Sequence, residues 1–559
     1  MPDTSVVEDK GWTVPRILTA ERRRLFERCL VVLALTVLPL AAYLLSSVML
    51  EEKGPYWLAE NSDPEYAYLL NALNVLEGRP PEHVDHPGTT LQMLGAAVIG
   101  LLTMGHSASD LKDLVLEDPE FYLSAINRTM RCLILVSQIA VGAMCLALTQ
   151  NILLAWLIQF PVVSSAYVLE ALGRVAPEPL LLLTGIGMSA ALLMMLLRRT
   201  TLSESRWSVI LACICGFGVA TKLTFIPVLG LALVMLTGLR SRLTFLIWTG
   251  IFLLLFTAPI IPRYSALLDW TTNLVMRSGH YGTGESDVIS NFWPNLHAVL
   301  LYQPSLSWLL AGLVIIVVVV FFQGSTQQSS DRMTRLLPLA AGLVLVHAMQ
   351  LLVVAKHPGS IAYLMPSIGL SGLTIVVAVM MWKELQMPFP VRAIASGLML
   401  LALAMTVIAQ EHRWAGTMDE YRARRVESAQ LEQIRNSQFS ECHTVYYYRA
   451  SSKAYAEYFG AEFSGRQAFG SQIRRQAGPQ TLFYQVWSKR MFSSDGTPVD
   501  LTQLAARPNT CTVFQGTPFE GEYARFRPAL VFTDRCGGTR EALYVIGRQC
   551  PRPDSSRET

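Results

Sequence analysis

Long apolar segments, separated by shorter polar stretches, occupy the first three quarters of the chain. A transmembrane helix needs about 20 predominantly apolar residues. Runs of that length, or nearly so, lie at 29–50, 132–149, 150–167, 179–197, 207–220, 223–239, 243–261, 306–322, 336–355, 361–382 and 393–410. A further run at 89–105 is short for a span. The pattern predicts a mainly α, polytopic bundle of about eleven transmembrane helices.

Basic residues are concentrated in loops that should share one side of the membrane. Cytoplasmic loops of membrane proteins carry an excess of lysine and arginine. The basic loops contain residues 22–24, Arg198, Arg199, Arg206, Arg240, Arg242, Arg332, Arg335, Lys383 and Arg392. They fall on one side only if 89–105 lies along the membrane surface as a juxtamembrane helix. We therefore predict a cytoplasmic N-terminus, an extracytoplasmic C-terminus and outer polar segments at 51–131, 168–178 and 262–305.

The pattern changes near residue 411. Residues 411–438 read as an amphipathic helix, and short β-branched and aromatic runs bounded by Gly, Pro and Asp follow, which indicates strands. We predict a transmembrane domain over 1–410 and a small extracytoplasmic α/β domain over 411–559. Its four cysteines suggest two disulfides and an oxidising compartment, with three pairings open. They are Cys442, Cys511, Cys536 and Cys550.

Composition agrees with a membrane protein and excludes one class of partner. The chain is 52% hydrophobic and 16% charged, whereas soluble domains are about a quarter charged. A net charge of +3 without a basic stripe argues against a nucleic-acid partner. The first apolar run is too long for the core of a signal peptide, so it is read as an uncleaved span.

The segment 61–90, NSDPEYAYLLNALNVLEGRPPEHVDHPGTT, carries several carboxylates and two histidines between apolar runs. Ionisable groups beside the hydrocarbon region are costly, so they indicate a functional site by default. Asp63 is well placed to cap a helix that begins at Pro64, with Glu65 in its first turn. The same carboxylate could act as a general base for an acceptor hydroxyl. The two roles are compatible, and Glu65 is a supporting residue.

The DHPG turn of this segment allows three interpretations. Pro87 and Gly88 suit a tight turn that caps the following helix. Alternatively His86, oriented by Asp85, contacts a phosphate or an acceptor group. A third interpretation is a divalent metal ion, for which the candidate ligands are Glu82, His83 and His86. Their spacing matches no established ligand pattern, so a metal stays an open question.

Further candidates lie at the predicted outer ends of spans. Arg174 and Glu178 occupy the second outer turn and are either interfacial anchors or supporting residues of a site. Cations at span ends commonly extend to the interface, but they also suit a lipid-linked phosphate. The remaining candidates are Lys222, Lys356, His357 and, in a Gly-rich stretch, His280 and Tyr281.

Taken in order, these motifs resemble the C-type membrane glycosyltransferases, in particular the protein O-mannosyltransferase and lipid A aminoarabinose transferase group. The resemblance covers roughly residues 25–410. The motifs are SDPEY, EGRPPEHVDHPG, Arg128 or Arg131 before the second span, RVAPEPLLLL and KHPGSIAYLMP, the last of which contains Tyr363. Two departures, His-Pro-Gly in place of His-Pro-Pro and Glu178 in place of Asp, leave donor sugar and metal dependence undetermined.

The resemblance implies a reaction. A sugar would pass from a polyprenyl-phosphate donor to a lipid, glycan or protein acceptor at the outer face of a bacterial inner membrane. Asp63 would act as the base, and Lys222, Lys356 and His357 would stabilise the departing phosphate. A single displacement predicts inversion at the anomeric carbon.

Two other functions are compatible with the sequence. A transporter or lipid flippase would place ionisable groups near the middle of its spans and use broken or repeated helices. The polar groups here are concentrated in outer loops instead, which disfavours that reading. A non-catalytic envelope assembly protein, whose outer domain binds a partner, is the other alternative.

Overall fold

The computed structural model describes residues 20–58, 65–85, 87–107, 110–197, 202–277, 292–302, 304–324, 331–356, 361–385, 389–485, 488–500, 511–518 and 532–551. These residues are mostly helical, with a strand-containing region near the C-terminus. The fold class predicted from the hydrophobic pattern, a polytopic helix bundle followed by a small α/β region, is confirmed.

Seven helices in the described part of the chain are long and apolar enough to cross a membrane. Each coincides with a predicted span. They are Cys29–Lys53, Pro119–Thr149, Pro177–Leu196, Leu239–Phe256, Ser305–Phe322, Arg332–Lys356 and Ile361–Glu384. The length and composition of these helices show that the chain is an integral membrane protein.

The other four apolar runs form helices of different kinds. The run at 150–167 becomes Ile152–Val163 and Ala166–Leu172, two segments bent by 70° that count as an eighth span if taken together. The runs at 207–220 and 223–239 form a helix and a short apolar helix. The run at 393–410 begins a helix that continues far beyond it. The short run at 89–105 forms the helix Thr89–Leu102.

The helices of the first half of the chain are α1 (Ala20–Lys53), α2 (Glu65–Leu76), α3 (Thr89–Leu102), α4 (Leu111–Glu117), α5 (Pro119–Thr149), α6 (Ile152–Gln159), α7 (Ala166–Leu172), α8 (Pro177–Leu196), α9 (Glu204–Thr221), α10 (Ile226–Met235), α11 (Leu239–Phe256) and α12 (Tyr264–Met276). Short 3₁₀ turns lie at Phe160–Val163, Leu223–Phe225 and Ala258–Arg263. The first and third of these extend a helix end, and the second separates α9 from α10.

The second half contains α13 (Phe292–Tyr302), α14 (Pro304–Gly324), α15 (Asp331–Lys356), α16 (Met365–Glu384), α17 (Phe389–Gln438), α18 (Lys453–Glu462) and α19 (Gly470–Ala477), with 3₁₀ turns at Ile361–Leu364 and Arg466–Ala468. At 50 residues, α17 is about 75 Å long. It joins the predicted last span and the predicted amphipathic helix at 411–438 in one continuous element.

Small residues set the closest helix contacts in the bundle. A Cβ added to Gly185 of α8 would lie 2.8 Å from the Cα of Gly369 in α16. A Cβ added to Gly372 would lie 2.4 Å from the backbone oxygen of Ile158. Within a membrane, helix association depends on such close packing because lipid is as apolar as the side chains. The glycines thus place α16 directly against α8 and the bent segment.

The C-terminal region contains a seven-stranded mixed sheet. Its strands are β1 (His443–Tyr446), β2 (Thr481–Gln485), β3 (Arg490–Ser493), β4 (Pro498–Val499), β5 (Thr512–Gly516), β6 (Asp534–Gly537) and β7 (Ala542–Ile546). The spatial order is β4-β3-β2-β1-β5-β7-β6. The central strand β1 runs parallel to β2 and β5, and the remaining pairs are antiparallel. Helices α18 and α19 make the crossover from β1 to β2.

One face of this sheet packs on two different parts of the molecule. Tyr446 and Phe483 belong to a core shared with α2, α3 and α5. Val513 and Val545 face Leu431 on the last part of α17. The four cysteines pair as Cys442–Cys511 and Cys536–Cys550, which selects one of the three pairings that the sequence left open.

Candidate functional site

A buried carboxylate lies where the end of α1, the start of α2 and the turn before α8 meet. Glu65, the first residue of α2, is only 1% exposed. Arg174 donates from Nε to Oε1 at 3.0 Å and from Nη2 to Oε2 at 3.3 Å. Lys53, the last residue of α1, donates from Nζ to Oε1 at 3.5 Å. Two cations from distant parts of the chain therefore hold one carboxylate in a fixed orientation.

A second buried ion pair lies beside the first. Lys222 donates from Nζ to Oε1 of Glu178 at 2.7 Å, and both residues are buried. The Lys222 ammonium also lies 5.0 Å from the ring centroid of Tyr363, within the range of a cation–π interaction. Because only three residues separate Arg174 from Glu178, the two buried carboxylates and their cations form one polar cluster.

Local sequence explains how α8 and α9 present this pair. Pro177 is the first residue of α8, where its missing N–H costs nothing, and Glu178 lies in the first turn, where the helix dipole favours an anion. Lys222 follows the end of α9 with an extended backbone, φ −162° and ψ 135°. The break between α9 and α10 thus turns the lysine side chain toward the start of α8.

The backbone of the DHPG turn contacts Lys222 of the polar cluster. Pro87 forms an isolated antiparallel bridge with Lys222. Gly88 adopts φ +69°, and a Cβ at this position would meet the hydroxyl of Tyr68 at 2.7 Å. Just beyond the turn, the hydroxyls of Thr90 and Thr221 lie 2.7 Å apart. The bridge therefore fixes the first outer loop against Lys222, and Gly88 precedes α3 without a side-chain capping hydrogen bond.

A further carboxylate, that of the half-buried Glu120, holds the first turn of α2. Glu120, in the first turn of α5, accepts a hydrogen bond from the Tyr66 hydroxyl at 2.7 Å and from the Tyr56 backbone N–H at 2.8 Å. Burial and the neighbouring Glu120 raise the pKa of the Tyr66 hydroxyl well above its usual value. Tyr66 consequently stays protonated and acts as the donor.

The metal candidates have other partners. Glu82 forms an ion pair with Arg263. The ring of His83 lies between those of Tyr68 and Phe463, at centroid distances of 5.2 and 5.7 Å. Among the described residues, no group of three or more His, Cys, Asp or Glu side chains could hold a metal ion. His86, the third candidate, lies outside the described residues.

The other predicted site residues lie either away from the polar cluster or outside the described residues. Asp85 is half-buried at the DHPG turn. Lys356 donates to the backbone oxygen of Val275, which places it beside the end of α12. Asp63, the predicted base, and also His280, Tyr281 and His357 lie outside the described residues. Glu65, Arg174, Glu178, Lys222 and Tyr363 are the predicted residues that the structure gathers in one cluster.

Sequence reasoning missed Lys53 and Glu120. Lys53 carried a usable signal, since it is a lone lysine at the end of the first span opposite the basic N-terminal segment. Glu120 follows Asp118 and Pro119, which read as a helix cap and first turn. Nothing in its local sequence indicates the contact with Tyr66, 54 residues away.

Comparison with known proteins places the fold. No family model and no curated protein matches the sequence. ArnT from Cupriavidus metallidurans in the apo state matches in structure with a TM-score of 0.50 and 14% identity, over 91% of this chain and 97% of that chain. The crystal structure of the same protein bound to undecaprenyl phosphate gives a TM-score of 0.43 and 13% identity over the same shares.

In fold, the chain resembles the C-type membrane glycosyltransferases. The resemblance predicted from the order of the motifs is thereby confirmed at the level of the fold. At 14% identity the similarity to ArnT concerns the architecture. A shared fold does not by itself assign a reaction to this chain.

Proposed function

We propose that this protein transfers a sugar from a polyprenyl-phosphate-linked donor to a lipid, glycan or protein acceptor at the outer face of a bacterial inner membrane, with inversion. The observation that carries the proposal is the cluster of two buried carboxylates held by Lys53, Arg174 and Lys222. Buried charges in a membrane protein are expensive and mark functional sites. The glycosyltransferase-like fold supports the choice of chemistry.

The cations suit a phosphate leaving group. A departing polyprenyl phosphate needs positive charge where its own negative charge develops. In the structure Glu178 neutralises Lys222 and Glu65 neutralises Arg174. A donor phosphate would share these cations with the carboxylates, which hold them in position before the donor binds. Lys356 and His357 are proposed to add further positive charge to the same phosphate.

Asp63 is the proposed general base. It precedes Glu65 by two residues, and Glu65 is anchored in the cluster by Arg174. An acceptor hydroxyl that attacks the anomeric carbon must lose its proton, and a positioned carboxylate can accept it. A transporter is less well supported, because Lys53, Glu178 and Lys222 lie at helix ends and not in the middle of spans.

The test uses a deletion strain that is complemented with wild type or with Asp63→Asn. Mass analysis of its envelope lipids and glycans should show loss of a sugar-bearing product in the deletion. Wild type should restore this product and Asp63→Asn should not. Glu441→Gln, a matched change at an exposed carboxylate of the C-terminal region, serves as the control and should restore the product fully.

Two outcomes would contradict the proposal separately. An unchanged envelope in the deletion strain would overturn sugar transfer as the function. Full restoration by Asp63→Asn, at wild-type protein level, would instead remove Asp63 as the base and leave the reaction class standing.

A further inference from the structure

One buried amide connects three segments that are far apart in sequence. Asn71, in the middle of α2, is fully buried. Its Nδ2 donates to the backbone oxygen of Phe463 at 2.9 Å and to Oγ of Ser464 at 2.8 Å. Its Oδ1 accepts from the backbone N–H of Glu82 at 2.8 Å and from that of His83 at 3.4 Å. The C-terminal region is thus bonded through α2 to the segment that leads into the DHPG turn.

Neighbouring contacts repeat the connection. Asn74, one turn further along α2, donates to the backbone oxygen of Ser464 at 2.8 Å. Phe463 packs edge-on against the ring of His83. The backbone oxygen of His83 in turn accepts a hydrogen bond from Gln92 of α3 at 2.7 Å. The C-terminal region, α2, the segment at 82–85 and α3 therefore form one continuous hydrogen-bonded unit.

The C-terminal region approaches the backbone of α2 closely at Gly460. A Cβ added to Gly460 of α18 would lie 2.9 Å from the backbone carbon of Tyr66 and 3.0 Å from its oxygen. Tyr66 follows Glu65 directly, so α18 rests on the turn of α2 that carries the buried carboxylate. Only glycine fits there, and any larger residue must move α18 or α2.

We propose that the C-terminal region positions the segment 65–85, which we call the catalytic loop, with Asn71, Gly460 and Ser464 as positioning residues that set the place of Glu65 and of the DHPG turn. The inference rests on the proposed function in so far as that loop is catalytic. Displacement of a reacting group by about 1 Å can lower a rate by roughly a hundredfold. A contact that sets the backbone position of α2 can therefore control turnover without touching a substrate.

The first test measures the loop itself and needs no substrate. In the full-length protein in detergent, Gly460→Ala and Asn71→Ala should raise amide hydrogen exchange in 65–85 by about tenfold or more. Exchange in α16 should stay unchanged. Gly416→Ala is the matched control, because a Cβ at Gly416 of α17 would meet nothing within 4 Å. Wild-type exchange at 65–85 in both variants would overturn the proposal.

The second test separates positioning from simple loss of folded protein. With undecaprenyl-phosphate-linked sugar as donor, Gly460→Ala should lower kcat per folded molecule by about tenfold or more, with donor KM within about twofold. An unchanged kcat together with faster exchange would show that the contact only stabilises the fold, and would overturn the positioning role. If the envelope of the deletion strain is unchanged, the proposed function fails, while the exchange experiment still decides whether α18 positions the loop.

Discussion

Two buried glutamates illustrate different ways in which this molecule accommodates a carboxyl group. Glu178, in the polar cluster, accepts a hydrogen bond from Lys222 at 2.7 Å, and both side chains are under 10% exposed. Glu457, on α18 where the C-terminal region meets α2 and α5, is 1% exposed. Its cation, Lys453, is 3.7 Å away and 39% exposed. Glu178 therefore has a buried partner of opposite charge, whereas the partner of Glu457 is partly exposed to solvent.

The difference appears in the protonation of Glu457. Desolvation raises the pKa of Glu457 to about 8, Lys453 opposes the shift, and the nearby Glu120 reinforces it. Glu457 is therefore mainly neutral at pH 7, whereas Glu178 is a member of an ion pair. Burial thus leaves a carboxylate charged where a cation is buried with it, and keeps the acid protonated where none is.

The largest expected effect comes from breaking the buried pair. Lys222→Met leaves Glu178 without its cation in a buried position, which should cost about 3–5 kcal/mol of stability. Thermal unfolding in detergent, followed by size exclusion, measures the change. The double variant Lys222→Met with Glu178→Gln should recover most of the loss. A single variant as stable as wild type would contradict the difference drawn between the two glutamates.

The second prediction concerns the pH dependence caused by Glu457. Its pKa is raised, so the folded state keeps a proton that the unfolded chain loses above about pH 4.5. Stability should therefore fall by about 1.4 kcal/mol per pH unit between pH 4.5 and about 8. The groups that face Glu457 are Lys453, Tyr66 and Glu120.

Glu457→Gln tests this by removing the titration. The variant should be more stable than wild type by about 0.7 kcal/mol at pH 5 and by about 3.5 kcal/mol at pH 7. Unfolding midpoints measured at several pH values between 5 and 8 give the comparison. Parallel pH profiles for the two proteins would show that Glu457 does not carry the linkage.

The smallest effect is expected at Lys453. This lysine is more than a third exposed and also donates to the backbone oxygen of Glu117 at 2.8 Å. Solvent screens its interaction with Glu457, so Lys453→Met should cost below about 1 kcal/mol. The same unfolding assay at pH 7 measures it beside Lys222→Met. Equal losses in the two lysine variants would mean that burial of the cation is not what distinguishes the pairs.

The sequence predicted the elements well because hydrophobic runs and helix breakers are local features. All eleven predicted spans are helical, and seven are long and apolar enough to cross a membrane. It also indicated five members of the polar cluster, since a charge at a span end stands out against an apolar background. Lys53 stood out equally, but Glu120 did not, because its role arises from contacts with Tyr56 and Tyr66 of the first loop.

By itself the sequence determined that this is a membrane protein with a glycosyltransferase-like order of motifs and a cysteine-bearing α/β region. Such features depend on composition and spacing, which any folded state must respect. The tertiary structure decided which carboxylates meet which cations, how the cysteines pair, and that α18 rests on α2 through Gly460. These depend on the approach of segments up to several hundred residues apart, such as Asn71 and Ser464, for which local sequence carries no signal.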